Sequence, residues 1–274
     1  MKVARTPRRV HYILSPDKIT SFAGLKLVAD LAMKLGVLDG LKRCTVKKRR
    51  RGIPAPDFIM SLAYNFIAGG SHLSDLEELR GEAGTREHLY DLAVAAPTTA
   101  GEYLAKFTTG HIKQLEGVIR DALRTGAGIT GGDAPVTLDL DSSIFPVYGY
   151  LKEGARYGYS KVKGLHPLLC FWAEQRLLVG VRLRGGNRTS AHGAVSFLGE
   201  CLSRLPGDRS VRLRMDAGFY SREIVEALLA RRLEFSISAR LTSALRHAIE
   251  CVPGHRWSPF PWEDGAEWME IAYR

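Results

Sequence analysis

Apolar residues recur at helical spacing from the start of the chain. Ile19, Phe22, Leu25, Val28, Leu31, Leu35, Leu38 and Leu41 form one stripe, predicting a helix or helix pair over 17–41 with a break near Gly36. Pro56 opens a second helix through Met60, Leu62, Phe66 and Ile67, and Gly69-Gly70 stops it. Helical fragments follow over Leu73 to Leu79 and Glu87 to Val94. Thr99-Ala100-Gly101-Glu102 reads as a capping box, opening a helix that kinks at Gly110 and reaches about Arg124.

A Gly-rich stretch over 125–133 marks the domain boundary, and beyond it the period changes from 3.6 to 2. Pro135 to Ile144 alternates like a strand. Leu165 to Ala173 and Leu177 to Leu183 read as an antiparallel pair, and Thr189 to Leu205 as a helix. A strand at Val211 to Met215, a helix at Arg222 to Arg231, a strand at Glu234 to Ser238 and a helix at Ser243 to Glu250 complete the series. A helical region followed by three strands, a helix, then alternating strand and helix predicts an α/β protein. Its mixed sheet has the element order of an RNase H-like core.

The composition sharpens this reading. Residues 1–51 hold fourteen Lys and Arg against three Asp, which places the whole excess of the +10 chain at its front. Residues 133–250 carry a further excess of five, balanced by acidic stretches elsewhere. Two basic regions suit a polyanion, because cations gain by releasing counterions from phosphate. No window approaches the roughly 20 apolar residues of a membrane helix. No apolar segment follows the basic N-terminus as a secretory signal requires, so a cytoplasmic location is expected. Cys44, Cys170, Cys201 and Cys251 form no CxxC pair and read as buried free thiols, against zinc and disulfide frameworks alike. There is no Walker motif, no GxGxxG following a strand and no HExxH helix.

The carboxylates carry the candidate chemistry. In Val136-Thr137-Leu138-Asp139-Leu140-Asp141-Ser142-Ser143, strand alternation puts Asp139 and Asp141 on one face and the leucines on the other. Asp216 closes the strand Val211 to Met215, at the carboxyl end where open α/β sheets build their sites. Such hard oxygen donors suit Mg²⁺, and two ions could activate an attacking oxygen and stabilise a leaving one. The bland alternative is an edge-strand acid at Asp139 or Asp141 and a turn or N-cap acid at Asp216.

Asp139-Leu140-Asp141-Ser142-Ser143, Tyr157-Gly158-Tyr159, Lys163-Gly164-Leu165-His166-Pro167-Leu168 and Arg214-Met215-Asp216-Ala217-Gly218-Phe219 stand in an order that resembles the group 1 DDE transposases of bacterial insertion sequences. The resemblance covers most of the chain. It implies an RNase H-like core over 131–250, preceded by a helical DNA-binding or dimerisation region over 1–130. It also implies Mg²⁺-dependent cleavage, with Mn²⁺ as a substitute, and strand transfer on double-stranded DNA by a homodimer. Asp141 takes the first catalytic and metal-binding role and Asp216 the second, with Asp139 as the reserve for the first. The family's third residue, a Glu on a later helix, has no clear counterpart. Residues 251–274 resemble the start of a β insertion, and Glu263, Glu267 and Glu270 read as ordinary strand or loop acids. The chain therefore reads as C-terminally truncated, and the alternative function is a non-catalytic DNA-binding remnant that occupies transposon ends.

Candidate DNA contacts lie in three places. Arg156, Tyr159, Lys161 and Lys163 interleave rings and cations beside Asp141 in sequence, though a plain tyrosine-rich hairpin would look similar. Arg188, with Arg182 and Arg184, forms a second expected phosphate-facing loop, its alternative a solvated turn. Lys48, Arg49 and Arg50 belong to the N-terminal basic run. His166 reads as a packed core histidine rather than a general base.

Overall fold

The computed structural model describes residues 18–46, 52–130, 135–149, 151–207 and 209–271. Two units divide the chain, residues 1–131 and 132–274.

In the first unit the helical stripe folds as α1 (Leu25–Lys34) and α2 (Val37–Leu41), separated at Gly36. These are followed by α3 (Ala55–Ile67), α4 (Leu76–Gly81), α5 (Ala83–His88), α6 (Pro97–Leu104) and α7 (Thr109–Thr130). The apolar faces converge on Phe58, whose ring stacks on Tyr103 at 4.0 Å and lies 6.3 Å from Phe107. Three expectations change, the first being that α7 runs on through Gly126 and Gly128 to Thr130 instead of ending near Arg124. The Glu87–Val94 fragment leaves the helix after His88, because Tyr90 and Asp91 both adopt left-handed backbone at φ 58°. The helix from Thr99 is two helices. α6 starts earlier, with Pro97 in its first turn, and α7 restarts where Thr108 bonds His111 Nδ1 through its amide (3.0 Å) and hydroxyl (3.1 Å). The break falls at Thr108, where side-chain capping satisfies the new helix start, and not at Gly110.

The second unit is built on a five-stranded sheet. Its strands are β1 (Val136–Ser142), β5 (Leu168–Trp172), β6 (Leu177–Arg182), β7 (Val211–Met215) and β8 (Glu234–Ile237), in the order β6-β5-β1-β7-β8. β1–β5 and β5–β6 are antiparallel, and β1–β7 and β7–β8 are parallel. Three antiparallel strands continued by two parallel ones make the mixed RNase H-like sheet. Its inward face carries Val136, Leu138 and Leu140, all buried. α8 (Ala194–Arg204) packs on β5 and β6 and against α9 (Arg222–Ala230), supplying Phe197, Leu198 and Cys201 to the core. Ser221 and Thr242 cap α9 and α10 (Ser243–Glu250) by accepting the amides of Ile224 and Leu245.

A small sheet of β2 (Phe145–Pro146), β3 (Arg156–Tyr157) and β4 (Lys163–Leu165) runs in the order β2-β4-β3. The expected single strand over 165–173 is thus split at His166-Pro167, where proline has no amide to continue the ladder. β9 (Ser258–Pro259) pairs with β10 (Glu267–Trp268) as a short antiparallel hairpin. Cys44, Cys170 and Cys201 are buried thiols, and Cys251 is exposed. Hydrogen bonding to Cys201, together with burial, pushes the Cys170 thiol far above its ordinary pKa, so it is not a reactive group. Among the described residues no helix is long and apolar enough to cross a membrane.

Candidate active site

β1 and β7 are parallel neighbours whose last matched pair is Leu140 and Met215. Asp141 and Asp216 each follow that pair by one residue, so two carboxylates emerge side by side where parallel strands lie about 4.8 Å apart. Both residues are exposed. Asp141 Oδ1 accepts the amide of Ser142 at 2.6 Å, and Asp216 Oδ1 accepts the amide of Gly218 at 2.9 Å. Each carboxylate is thereby fixed by one oxygen, and among the described residues its second oxygen has no partner. Two hard, outward oxygens on adjacent strand ends fit a Mg²⁺ ion that completes its shell with water and substrate phosphate.

Asp139 shares the outward face but is otherwise engaged. Arg214, opposite it in the parallel register, donates Nε to Oδ1 at 2.6 Å and Nη2 to Oδ2 at 2.7 Å. This two-pronged bond occupies both carboxylate oxygens and raises the Arg214 pKa. Arg212 and Glu234, paired one strand over, make a single such bond at 2.6 Å.

Behind Asp141 lies a polar cluster absent from the sequence-based site. His166 is 1 % exposed. Its Nδ1 donates to the Arg188 carbonyl at 2.7 Å, and its Nε2 bonds Ser142 Oγ at 3.1 Å. Ser142 Oγ also bonds Ser190 Oγ at 2.8 Å. The buried core histidine expected from the sequence is present, with a polar partner on both ring nitrogens.

The three arginines expected to face phosphate divide by role. Arg184 is buried, donating Nε to the His166 carbonyl (2.9 Å) and Nη1 to the carbonyls of Thr189 (2.9 Å), Ser190 (3.3 Å) and His192 (2.6 Å). Burial, with the charges of Arg182 and Arg188 nearby, lowers its pKa from 12.5 to about 10. Arg182 pairs with Glu200 at 2.7 Å and bonds the Gly193 carbonyl. Only Arg188 is exposed. Because Arg184 engages the carbonyls of 189, 190 and 192, that stretch does not join the helix expected from Thr189, and α8 begins at Ala194.

The small sheet brings Arg156, Tyr159, Lys161 and Lys163 onto one hairpin beside the Arg188 loop. Leu165 bridges Gly185, and the Gly186 amide donates to the Gly154 carbonyl at 3.2 Å. Gly186 has to be glycine here, since a Cβ would strike the carbonyls of Gly164 and Arg156. Tyr148 and Tyr159 are 87 % and 82 % exposed, unusual for rings with no role at a surface. Lys163 Nζ donates to the Gly149 carbonyl at 3.0 Å, and Arg156 Nη1 to its neighbour's carbonyl, also at 3.0 Å. Lys48, Arg49 and Arg50 lie outside the described residues. Glu263 and Glu267 are exposed on the turn and second strand of the β9–β10 hairpin, and Glu270 is exposed just beyond it. Among the described residues no group of three or more His, Cys, Asp or Glu could hold a metal ion.

The family model "Transposase DDE domain group 1" matches residues 5–273. Among solved structures, the piggyBac transposase synaptic complex with hairpin DNA is similar at 12 % identity and a TM-score of 0.40, covering 84 % of this chain and 55 % of that one. The Mos1 strand transfer complex matches at 15 % identity and a TM-score of 0.26, covering 83 % of this chain and 79 % of that one. The mariner Mos1 paired end complex with Mg matches at 11 % and 0.23, covering 86 % and 84 %. The chain therefore spans about half the length of the piggyBac chain. No curated protein matches it.

Proposed function

The chain belongs to the group 1 family of DDE transposase domains, and we propose on that premise that it acts in DNA transposition through Mg²⁺-dependent phosphodiester chemistry at DNA ends. The observation that carries this reading is the placement of Asp141 and Asp216 one residue past Leu140 and Met215, each with an unengaged carboxylate oxygen. Asp141 and Asp216 would hold the metal. Asp139, bonded on both oxygens by Arg214, keeps the sheet face together instead. Mn²⁺ substitutes because its oxygen chemistry is similar.

A bound divalent cation supplies Lewis acidity for water or a 3′-hydroxyl and for the leaving oxygen. This chain's own residues orient the DNA. Lys161, Lys163 and Arg156 on the hairpin and Arg188 on the adjoining loop meet phosphates, and Tyr159 offers a face for a base. Lys48, Arg49 and Arg50 add a second grip. Assembly as a homodimer across two ends belongs to the same proposal.

The test is nicking of an end duplex with Mg²⁺ by the wild type and by Asp216→Asn. Loss of nicking in the variant alone is expected, and equal nicking by both overturns the reading. A second reading is DNA-end binding without cleavage. It is favoured by the two carboxylates at the strand ends having no third His, Cys, Asp or Glu grouped with them among the described residues. Binding of the end duplex with no nicking in Mg²⁺ or Mn²⁺ would select it.

A further inference from the structure

Two strand ends that carry partner carboxylates need a fixed separation, and the pairing of β1 with β7 stops one residue short of both, although β5 still pairs Asp141 and Ser142. Between the two ends, side chains have to set the spacing. On the β1 side, the residue after Asp141 is Ser142, whose hydroxyl bonds His166 Nε2 at 3.1 Å and Ser190 Oγ at 2.8 Å. On the β7 side, the Asp216 turn closes with the Gly218 amide on Asp216 Oδ1. Ser190 reaches that turn as well. A Cβ built on Gly218 would lie 2.7 Å from Ser190 Oγ, 3.0 Å from Ser190 Cβ and 3.0 Å from Asp216 Oδ1. One side chain therefore bonds the Asp141 strand end and abuts the Asp216 turn.

Ser190 is itself held from behind. The buried Arg184 guanidinium draws the carbonyls of Thr189, Ser190 and His192 together, and the His166 imidazole takes the Arg188 carbonyl. A charged group removed from water without a carboxylate partner costs stability unless its donors are used. Arg184 spends Nε and Nη1 on four backbone carbonyls, three of them in the loop that carries Ser190, and its buried Nη2 has no partner among the described residues.

We propose that Ser190 is a positioning residue that sets the spacing of Asp141 and Asp216 for a small divalent ion, with Ser142 as its bonded partner and Arg184 and His166 as its support. This rests on the reading that the two carboxylates hold the metal. The predicted signature is ion selectivity. Mg²⁺ demands near-ideal geometry at about 2.0–2.1 Å, whereas Ca²⁺ accepts irregular shells at about 2.3–2.6 Å. Loosening the carboxylates therefore penalises Mg²⁺ and spares Ca²⁺. General destabilisation would weaken both ions together.

The experiment is Mn²⁺ binding to the full chain by electron paramagnetic resonance, with Mg²⁺ and Ca²⁺ as competitors and thermal unfolding in parallel. Ser190→Ala is expected to weaken Mg²⁺ about tenfold, the lower end for partners that orient metal ligands, and Ca²⁺ by less than about twofold. Gly218→Ala approaches the same contact from the other side. It should reproduce the selectivity change, and Ser190→Gly in that background should restore part of the Mg²⁺ affinity by making room for the methyl group. If Mg²⁺ and Ca²⁺ weaken in parallel in both single variants, or neither moves, the proposal fails while the metal site stands. If the wild type binds Mn²⁺ no better than Asp216→Asn, the metal reading fails, and this inference with it.

Discussion

Asp139 and Arg214 face each other across two parallel strands and close a two-pronged ion pair, while Asp141, two residues further along the same face, keeps one carboxylate oxygen unengaged among the described residues. Two acids of one strand thus have different chemistry because only one of them has an arginine opposite.

Asp141→Asn and Asp216→Asn should each lower metal affinity by more than about 100-fold, since residues that merely orient ligands already account for about 10- to 100-fold. Asp139→Asn should leave affinity within about twofold and instead cost about 0.5–1 kcal/mol of stability, the scale of a half-exposed ion pair. Metal titration alongside denaturant unfolding separates the two. Equal loss of metal binding at 139 and 141 would contradict the assignment.

Gly186→Ala should detach the small sheet from the Arg188 loop. The methyl group has two carbonyls in its way, and overpacking of this kind costs about 1–3 kcal/mol. DNA affinity should fall while the five-stranded sheet keeps its circular dichroism and its unfolding transition. An unchanged affinity would show that the hairpin and loop act independently.

Lys161→Ala and Arg188→Ala should weaken DNA binding at every sequence tested and each reduce the slope of log K against log salt by about 1. Fluorescence anisotropy between low and moderate salt reads this directly. A slope equal to the wild type in either variant removes that residue from the interface.

Glu82 joins the N-terminal segment to α5. Its carboxylate accepts the Ser21 amide at 3.0 Å and the hydroxyls of Ser21 and Thr20, and those hydroxyl bonds hold its pKa below the ordinary 4.5. A depressed acid contributes stability that is fully present above its unfolded pKa and is lost as pH falls through the folded one. Glu82→Gln should therefore lower the unfolding midpoint at pH 7. The gap to the wild type should shrink below pH 4.5 and close in stronger acid. A gap independent of pH would mean the glutamate acts by shape alone.

Much of the sheet was legible because strand alternation is a local signal. Val136 to Ser142 and Val211 to Met215 alternate cleanly, and the two acids end those strands in sequence as they do in space. The Arg184 cluster was not legible, since its donors serve backbone carbonyls, which every residue carries and no side-chain pattern reveals. Spacing puts Arg184 with Arg182 and Arg188 on one exposed loop, but its guanidinium turns inward while Arg188 stays exposed. The small Gly-Gly-Asn run at 185–187 was the available hint, because adjacent glycines often mark close backbone approach. The break at Thr108 was hidden for a similar reason. A capping contact with His111 ends one helix and starts another without any glycine or proline.

The strand order β6-β5-β1-β7-β8 puts the third and fourth positions of the sheet under the two carboxylates. Fraying begins at edges, and interior strands are typically the last to open. A site mounted there shares the lifetime of the whole unit. Partial openings that release β6 or β8 leave the carboxylate pair intact, so amides of Leu140 and Met215 should exchange only through global unfolding. The carboxylate pair is thereby tied to the most durable part of the domain, and the hairpin proposed to meet DNA, on its own short ladder, is left free to adapt.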